Sequence, residues 1–208
     1  YNSEALVSVE ALYREAVGLA AAADLPEADR NLWRSRIEYM VARGYQANED
    51  KARSVAHYES GLSALDGLAP DQVSSESWRM TSECISQLCL LKPVGWVVAN
   101  GPKVASYAEK ALALDPRNAA AQVIVAAARI YPPAMFGGNP KRGIELMQEA
   151  LSFGTAQKDD LFNIYSGVGL ADGKLKNAAE ARRWFDMALA LYPGNSYVRS
   201  ERAKLGKD

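Results

Sequence analysis

Two stretches of this chain echo each other, and the echo narrows what it can fold into. Residues 108–121 read AEKALALDPRNAAA, and residues 184–197 read WFDMALALYPGNSY. In each, a run ending Ala-Leu-Ala-Leu is halted by a proline, and an asparagine follows where a new helix can start. Proline lacks the N–H that an inner helical turn needs, and its ring clashes with the preceding turn. Asparagine accepts from the open N–H groups of the helix after it. Helix, stop, cap and helix, written twice, identify a helical repeat. Alanine-rich composition with little valine or isoleucine agrees with helix. Apolar residues at 49% and charged ones at 24% allow a substantial core in 208 residues and are too apolar for disorder.

Apolar periodicity fills in the remaining helices. Leu6, Val9, Leu12, Tyr13, Ala16 and Val17 recur at three- and four-residue steps and predict a helix over 3–23. Pro26 suits the first turn of the next, over 27–46, with Leu32, Trp33, Ile37, Met40 and Val41 on its apolar face. The acidic turn Asn48-Glu49-Asp50 caps 51–65, and 70–92 forms the following helix. Further helices are expected over 103–114, 119–130, 140–152, 158–171, 178–191 and 196–205. The helix over 119–130 is apolar almost all round, as a segment packed on several sides would be. Two stretches break the pattern. Residues 93–101 (PVGWVVANG) read as an irregular connection, and 131–138 (YPPAMFGG) cannot be helix with two prolines and two glycines.

Second helices of the successive pairs share a small residue followed by leucine: Gly61-Leu62, Ala111-Leu112, Ala150-Leu151 and Ala188-Leu189. Their offsets are 50, 39 and 38 residues, where a bare antiparallel pair needs about 34. A small residue lets two helices approach and its neighbouring leucine fills the groove between them. Within residues 178–193, Ala181, Phe185, Ala188 and the closing Pro193 resemble the second helix of a tetratricopeptide repeat. Tyr165, Val168 and Gly169 resemble its first helix. Val104, Ala108, Ala111 and Pro116 match the second-helix pattern more loosely, and Gly143, Met147 and Ala150 match it without a terminal proline. Ser54, Tyr58 and Gly61 keep only the pattern of sizes. The resemblance implies an all-α, right-handed solenoid of antiparallel helix pairs. As one domain over 1–208 it would have divergent helices in 1–92, clearer repeats in 102–195 and a capping helix over 195–206.

Catalytic chemistry finds little support. His57 is the sole histidine, which leaves no His-based metal site or paired nucleophile, and it reads as a helix-surface residue. Cys84 and Cys89, five positions apart, fall on different helix faces and read as small core residues rather than a redox pair or metal ligands. Gly137-Gly138-Asn139-Pro140-Lys141-Arg142-Gly143 lacks the spacing of a nucleotide-binding loop and reads as a glycine hinge feeding an Asn cap. Asp159-Asp160 and Glu49-Asp50 sit at helix starts, where they favour the dipole. A non-enzyme without cofactor or metal is therefore expected.

The expected activity is binding. In the resemblance, first helices line a concave groove, which places Arg36, Tyr39, Arg43 and Gln46 outward in the early pair and Asn163 and Ser166 in the late one. Arg36, Tyr39 and Arg43 share a helix face, and arginines there can grip peptide carboxylates; a plain solvated basic face is the competing reading. The irregular stretches supply Val94, Trp96 and Val97, and Tyr131, Met135 and Phe136. Loops this apolar either tuck against the helices or meet a ligand. The sequence reads as a scaffold or adaptor that takes a protein segment. The alternative is an accessory protein for a small apolar ligand, for instance in bacterial envelope transport. Self-association through the loops, giving a homo-oligomer, is a third course. A formal charge of −1 gives no overall field toward nucleic acid or an anionic membrane, and no apolar run is long enough to span a membrane. The compartment is open: the chain begins at Tyr1, and removal of a leader would be compatible with a periplasmic or envelope location.

Overall fold

The computed structural model describes residues 3–206, with side chains from Ser8 onward. Leu6, counted in the first stripe, and Tyr1 lie outside the described side chains. Among the described residues ten helices follow in order: α1 (Ser3–Ala22), α2 (Glu27–Ala47), α3 (Lys51–Leu65), α4 (Ser75–Leu91), α5 (Val94–Leu114), α6 (Ala119–Ile130), α7 (Pro140–Ser152), α8 (Lys158–Lys174), α9 (Ala178–Leu191) and α10 (Ser196–Lys204). A 3-10 turn, Ala134–Phe136, lies between α6 and α7, and no strand occurs among the described residues. The helices group into two compact units, Tyr1–Ala111 and Leu112–Asp208.

In the first unit α2 packs on α3 and α3 on α4, while α1 covers α2. The core gathers Ala42, Tyr58, Leu65, Met80, Cys84 and Leu88, with Leu32, Tyr39, Leu91 and Trp96 against it. Gly61 makes the close approach workable: a Cβ there would lie 3.3 Å from Cys84 Sγ and 3.4 Å from the Ser35 carbonyl. Tyr58 is wholly buried, and its hydroxyl donates to Gln46 Oε1 at 2.7 Å. Asp50 caps α3 as expected, accepting from the Arg53 N–H at 3.0 Å.

Two sequence expectations fail in this unit. The helix expected from residue 70 begins at Ser75. Ser74 and Ser77 cap each other's N–H groups, at 3.1 and 2.8 Å, and this reciprocal box sets the start. The irregular stretch expected over 93–101 is helical. Pro93 stands just before the first residue of α5, where a missing N–H costs nothing, and its carbonyl accepts from Trp96 N–H at 2.9 Å. Pro102 then sits inside α5. It deprives the Val98 carbonyl of a donor, but Val98 is 72% exposed, where water can replace the bond. Val94, Trp96 and Val97 are therefore helix residues, and Trp96 packs on the core.

In the second unit α6 packs on α7, α7 on α8, α8 on α9 and α9 on α10, with α6 also meeting α8. Asparagine caps recur as the sequence predicts: Asn118 to Ala121 N–H (3.0 Å), Asn139 to Arg142 N–H (3.1 Å) and Asn195 to Val198 N–H (2.9 Å). Helix α6 buries Ala119, Ala121, Gln122, Val123, Val125, Ala126 and Ile130, in keeping with its nearly all-apolar sequence. Ala181, Phe185, Ala188 and Val198 form a core with Phe162, Tyr165, Leu170, Leu189 and Leu205 packed on it. Gly169 is fitted against this core, since a Cβ there would lie 2.8 Å from the Phe185 ring. Helix α8 runs past the expected end at 171 to Lys174, and Lys176, in a left-handed conformation (φ 64), turns the chain toward α9.

Candidate binding surfaces

On α2 the four expected groove residues are placed very differently. Arg36 is half-buried and already engaged: it donates to Glu76 on α4 and lies over the Trp33 ring, 5.1 Å from its centroid. Glu76 also accepts from Arg79 at 2.9 Å through both oxygens, and Arg79 reaches Glu83 at 2.8 Å. Burial disfavours the Arg79 charge, yet Glu83 and Glu76 outweigh it and hold its pKa above the ordinary arginine value. Tyr39 packs edge-on against Tyr58, ring centroids 5.6 Å apart. Burial first, then the Glu83 charge, raises its pKa. Gln46 holds the Tyr58 hydroxyl and so supports the core. Arg43 is the exposed member, and its positive charge eases ionisation of the Tyr39 and Tyr58 hydroxyls. The expected patch is thus a strip of alternating charge spanning α2 and α4, and Arg43 is its most accessible cation.

Trp96 belongs to a second feature of this unit, an open cleft of about 430 Å³ between the end of α3, α4 and α5. Leu62, Leu68, Val73, Trp78, Trp96 and Tyr107 give it apolar walls, and Asp66, Asn100 and Lys103 add polar groups. Trp78 and Tyr107 stack with centroids 5.1 Å apart and planes 13° from parallel. Lys110 Nζ lies 4.4 Å from the Trp78 ring centre and 5.0 Å from that of Tyr107.

A buried carboxylate lies where the sequence suggested none. Glu38, 2% exposed, accepts from the Tyr13 hydroxyl at 2.8 Å and sits 2.6 Å from His57 Nδ1. The imidazole stacks on Tyr45, centroids 5.3 Å apart, and meets the Tyr13 ring edge-on. His57 is therefore half-buried and joins α1, α2 and α3, not a helix-surface residue as the sequence suggested. The signal was available in the spacing. Ser35, Glu38, Ala42 and Tyr45 fall at steps of three, four and three, and all four are buried, so a carboxylate occupies the core stripe. Cys84 is buried and Cys89 half-buried, and both are free thiols as expected.

In the second unit Asn163 is exposed, but Ser166 is buried (7%) and does not face outward. Gly167 and Val168 beside it are also buried, so this part of α8 is packed rather than presented. The 131–138 connection is non-helical apart from its 3-10 turn, as its prolines require, and it does not tuck. Tyr131, Met135 and Phe136 are 51%, 83% and 73% exposed. Its shape is fixed by Phe136 N–H to Pro133 O (2.9 Å), Gly138 N–H to Pro133 O (3.1 Å) and Asn139 N–H to Arg129 O (2.7 Å). Gly138 admits no side chain, because a Cβ would lie 1.9 Å from the Pro132 carbonyl oxygen. Lys174 Nζ donates to the carbonyl oxygens of Ile130 and Tyr131 at 2.5 and 3.0 Å, tying the base of the loop to α8.

No family model and no curated protein matches the sequence. Solved structures do match its fold. A thermophilic tetratricopeptide-repeat protein of Thermus thermophilus aligns with a TM-score of 0.56 at 17% identity, over 96% of this chain and 94% of that one. PilF of Pseudomonas aeruginosa aligns with a TM-score of 0.53 at 17% identity, over 86% of this chain and 69% of that one. The chain has the tetratricopeptide-repeat fold, all-α and built of successive helix pairs.

Proposed function

With the tetratricopeptide-repeat fold as premise, we propose that this protein is a non-catalytic scaffold that holds a segment of another protein along the α2–α4 face of its first unit. The observation that carries this reading is the charged strip Arg36–Glu76–Arg79–Glu83 with exposed Arg43 beside it. Alternating charges on two neighbouring helices complement the mixed side chains and backbone groups of a peptide. Because Arg36 is neutralised by Glu76, Arg43 is the cation best able to meet a ligand carboxylate. Tyr39 contributes by fixing the floor of the strip rather than by reaching into solvent.

The cleft at Trp96 extends the same reading. It is open, and Asp66, Asn100 and Lys103 break up its apolar wall. That suits one or two side chains of a bound segment better than an enclosed apolar molecule. The test is capture of partners from the source cell followed by calorimetric titration of an identified one with wild type and Arg43→Glu. Arg43 is chosen over Tyr39 because it is exposed; its guanidinium also meets the Tyr58 hydroxyl, so the variant's thermal midpoint is measured beside the affinity. Affinity at least about fivefold weaker, with unchanged helical content, supports the strip as the site. Unchanged affinity moves the site elsewhere.

A further inference from the structure

The α6–α7 loop combines two properties that the peptide-binding reading does not use: large apolar groups held outward, and a surrounding that carries cations. We propose that this loop is a membrane-surface contact, in which Met135 and Phe136 insert shallowly into the headgroup boundary of a bilayer containing anionic lipid. The exposure is built in. Pro132 and Pro133 remove two backbone donors, the 3-10 turn Ala134–Phe136 carries the two side chains, and Gly137 follows in the left-handed region (φ 86). The loop base is pinned by Asn139 to the Arg129 carbonyl and by Lys174 to the carbonyls of Ile130 and Tyr131. A tip tied in this way holds its two large apolar side chains in solvent, a configuration that costs hydration free energy unless something covers them.

Charge selects the cover. No Asp or Glu occurs between Asp115 and Glu145, while Arg117, Arg129, Lys141 and Arg142 all do, in a chain whose net charge is −1. Arg129, Lys141, Arg142 and Lys174 are exposed at the loop base or on the adjoining first turn of α7. Glu145 is paired with Arg142 at 2.7 Å, so those two cancel, and Glu201 is paired with Lys204 at 2.6 Å; Arg129, Lys141 and Lys174 supply the positive charge behind the tip. An apolar tip, an aromatic (Tyr131) at its base and lysines and arginines behind it match the layering of a bilayer surface, from acyl region to headgroup to anionic surface charge. A protein partner would need a recess to receive a protruding tip. A bilayer needs none.

The test is co-sedimentation of the full chain with sucrose-loaded vesicles of phosphatidylcholine alone or with about one-third phosphatidylglycerol. The expected result is partition on the order of tenfold stronger on the anionic vesicles, weakened by salt. The paired replacement Met135→Ser with Phe136→Ser is expected to lower that partition about tenfold or more with unchanged circular dichroism, since both side chains are exposed. Lys141→Glu is expected to weaken binding to the anionic vesicles only. Wild type that stays in the supernatant, or the paired variant partitioning like wild type, overturns the proposal. Concentration-dependent dimerisation that the paired variant abolishes, with no vesicle binding, assigns the tip to a second copy of the chain and overturns it too. None of these outcomes depends on the α2–α4 face.

Discussion

Gly169→Ala isolates the packing logic of the second unit. In an ordinary helix this substitution stabilises by about 0.8–1 kcal/mol, because glycine loses more backbone freedom on folding. At this position a Cβ would lie 2.8 Å from both Cδ1 and Cε1 of Phe185 and 3.2 Å from the Ala181 carbonyl oxygen. Phe185 is 1% exposed and Ala181 wholly buried, so neither can move into free space. Overpacking of that kind costs about 1–3 kcal/mol. Set against the propensity gain, the net loss is up to about 2 kcal/mol relative to wild type, or up to about 10 °C, and about 1–3 kcal/mol relative to an alanine placed where there is room. The internal control is Gly173→Ala in the same helix, where the nearest atom, Leu205 Cδ2, is at an ordinary 3.6 Å; the protein should be unchanged or slightly stabilised. Urea unfolding and calorimetry of both variants measure the difference. A Gly169→Ala protein as stable as the Gly173→Ala one would refute close α8–α9 packing as the reason for the glycine.

Replacing the N-cap, Asn118→Ala, should cost about 1 kcal/mol in urea unfolding, because Ala121 N–H loses its acceptor; a loss under a few tenths would mean that water caps α6 as well. His57→Ala should destabilise by about 1–3 kcal/mol by leaving one oxygen of buried Glu38 without its partner, and a midpoint identical to wild type would show that the pair adds nothing to stability. Alkaline pH should unfold the protein: burial pushes the Cys84 thiol from 9.0 up to about 12, and burial followed by the Glu38 hydrogen bond does the same for Tyr13 from 10.0. The folded state then keeps protons that the unfolded state releases, so stability is intact below about pH 9 and falls as pH rises toward 12; a flat denaturation midpoint from pH 8 to 11 would contradict this.

The residues that set the architecture were readable because each obeys a local rule. Asn118, Asn139 and Asn195 cap helices wherever they fall, and Ala181, Phe185 and Ala188 declare the packed face of α9 by their spacing alone. What escaped notice depended on a partner distant in sequence. Arg36 looked like a groove cation on its own helix, but Glu76, forty positions on, neutralises it. Ser166 lay at an outward position of the repeat pattern, yet its surroundings in the second unit bury it. His57 read as a helix-surface residue, and Glu38 drew no reading at all. The α2 spacing marks Glu38 as buried, and the packing of α2 against α3 brings the half-buried His57 onto it.

The two apolar stretches that broke the repeat pattern show why proline placement matters more than proline number. Pro93 and Pro102 are far enough apart that each can be absorbed by one helix: the first falls at its start, and the second orphans a carbonyl on an exposed residue. The helix then sets Trp96 against the core, where it also lines the cleft. Pro132 and Pro133 are adjacent. They remove two successive donors, and although Tyr131 before them keeps helical angles (φ -74, ψ -46), Pro133 is extended (φ -59, ψ 156). The chain must turn there, and the turn admits no side chain at 138. In the first stretch the helix lets packing take up Trp96, while Val94 and Val98 stay exposed on its outer face. The apolar residues of the second are placed by the covalent chain, which cannot bury them. Their exposure is therefore a fixed property of the loop, and substitutions that keep Pro132, Pro133 and Gly138 should vary its chemistry without altering its shape.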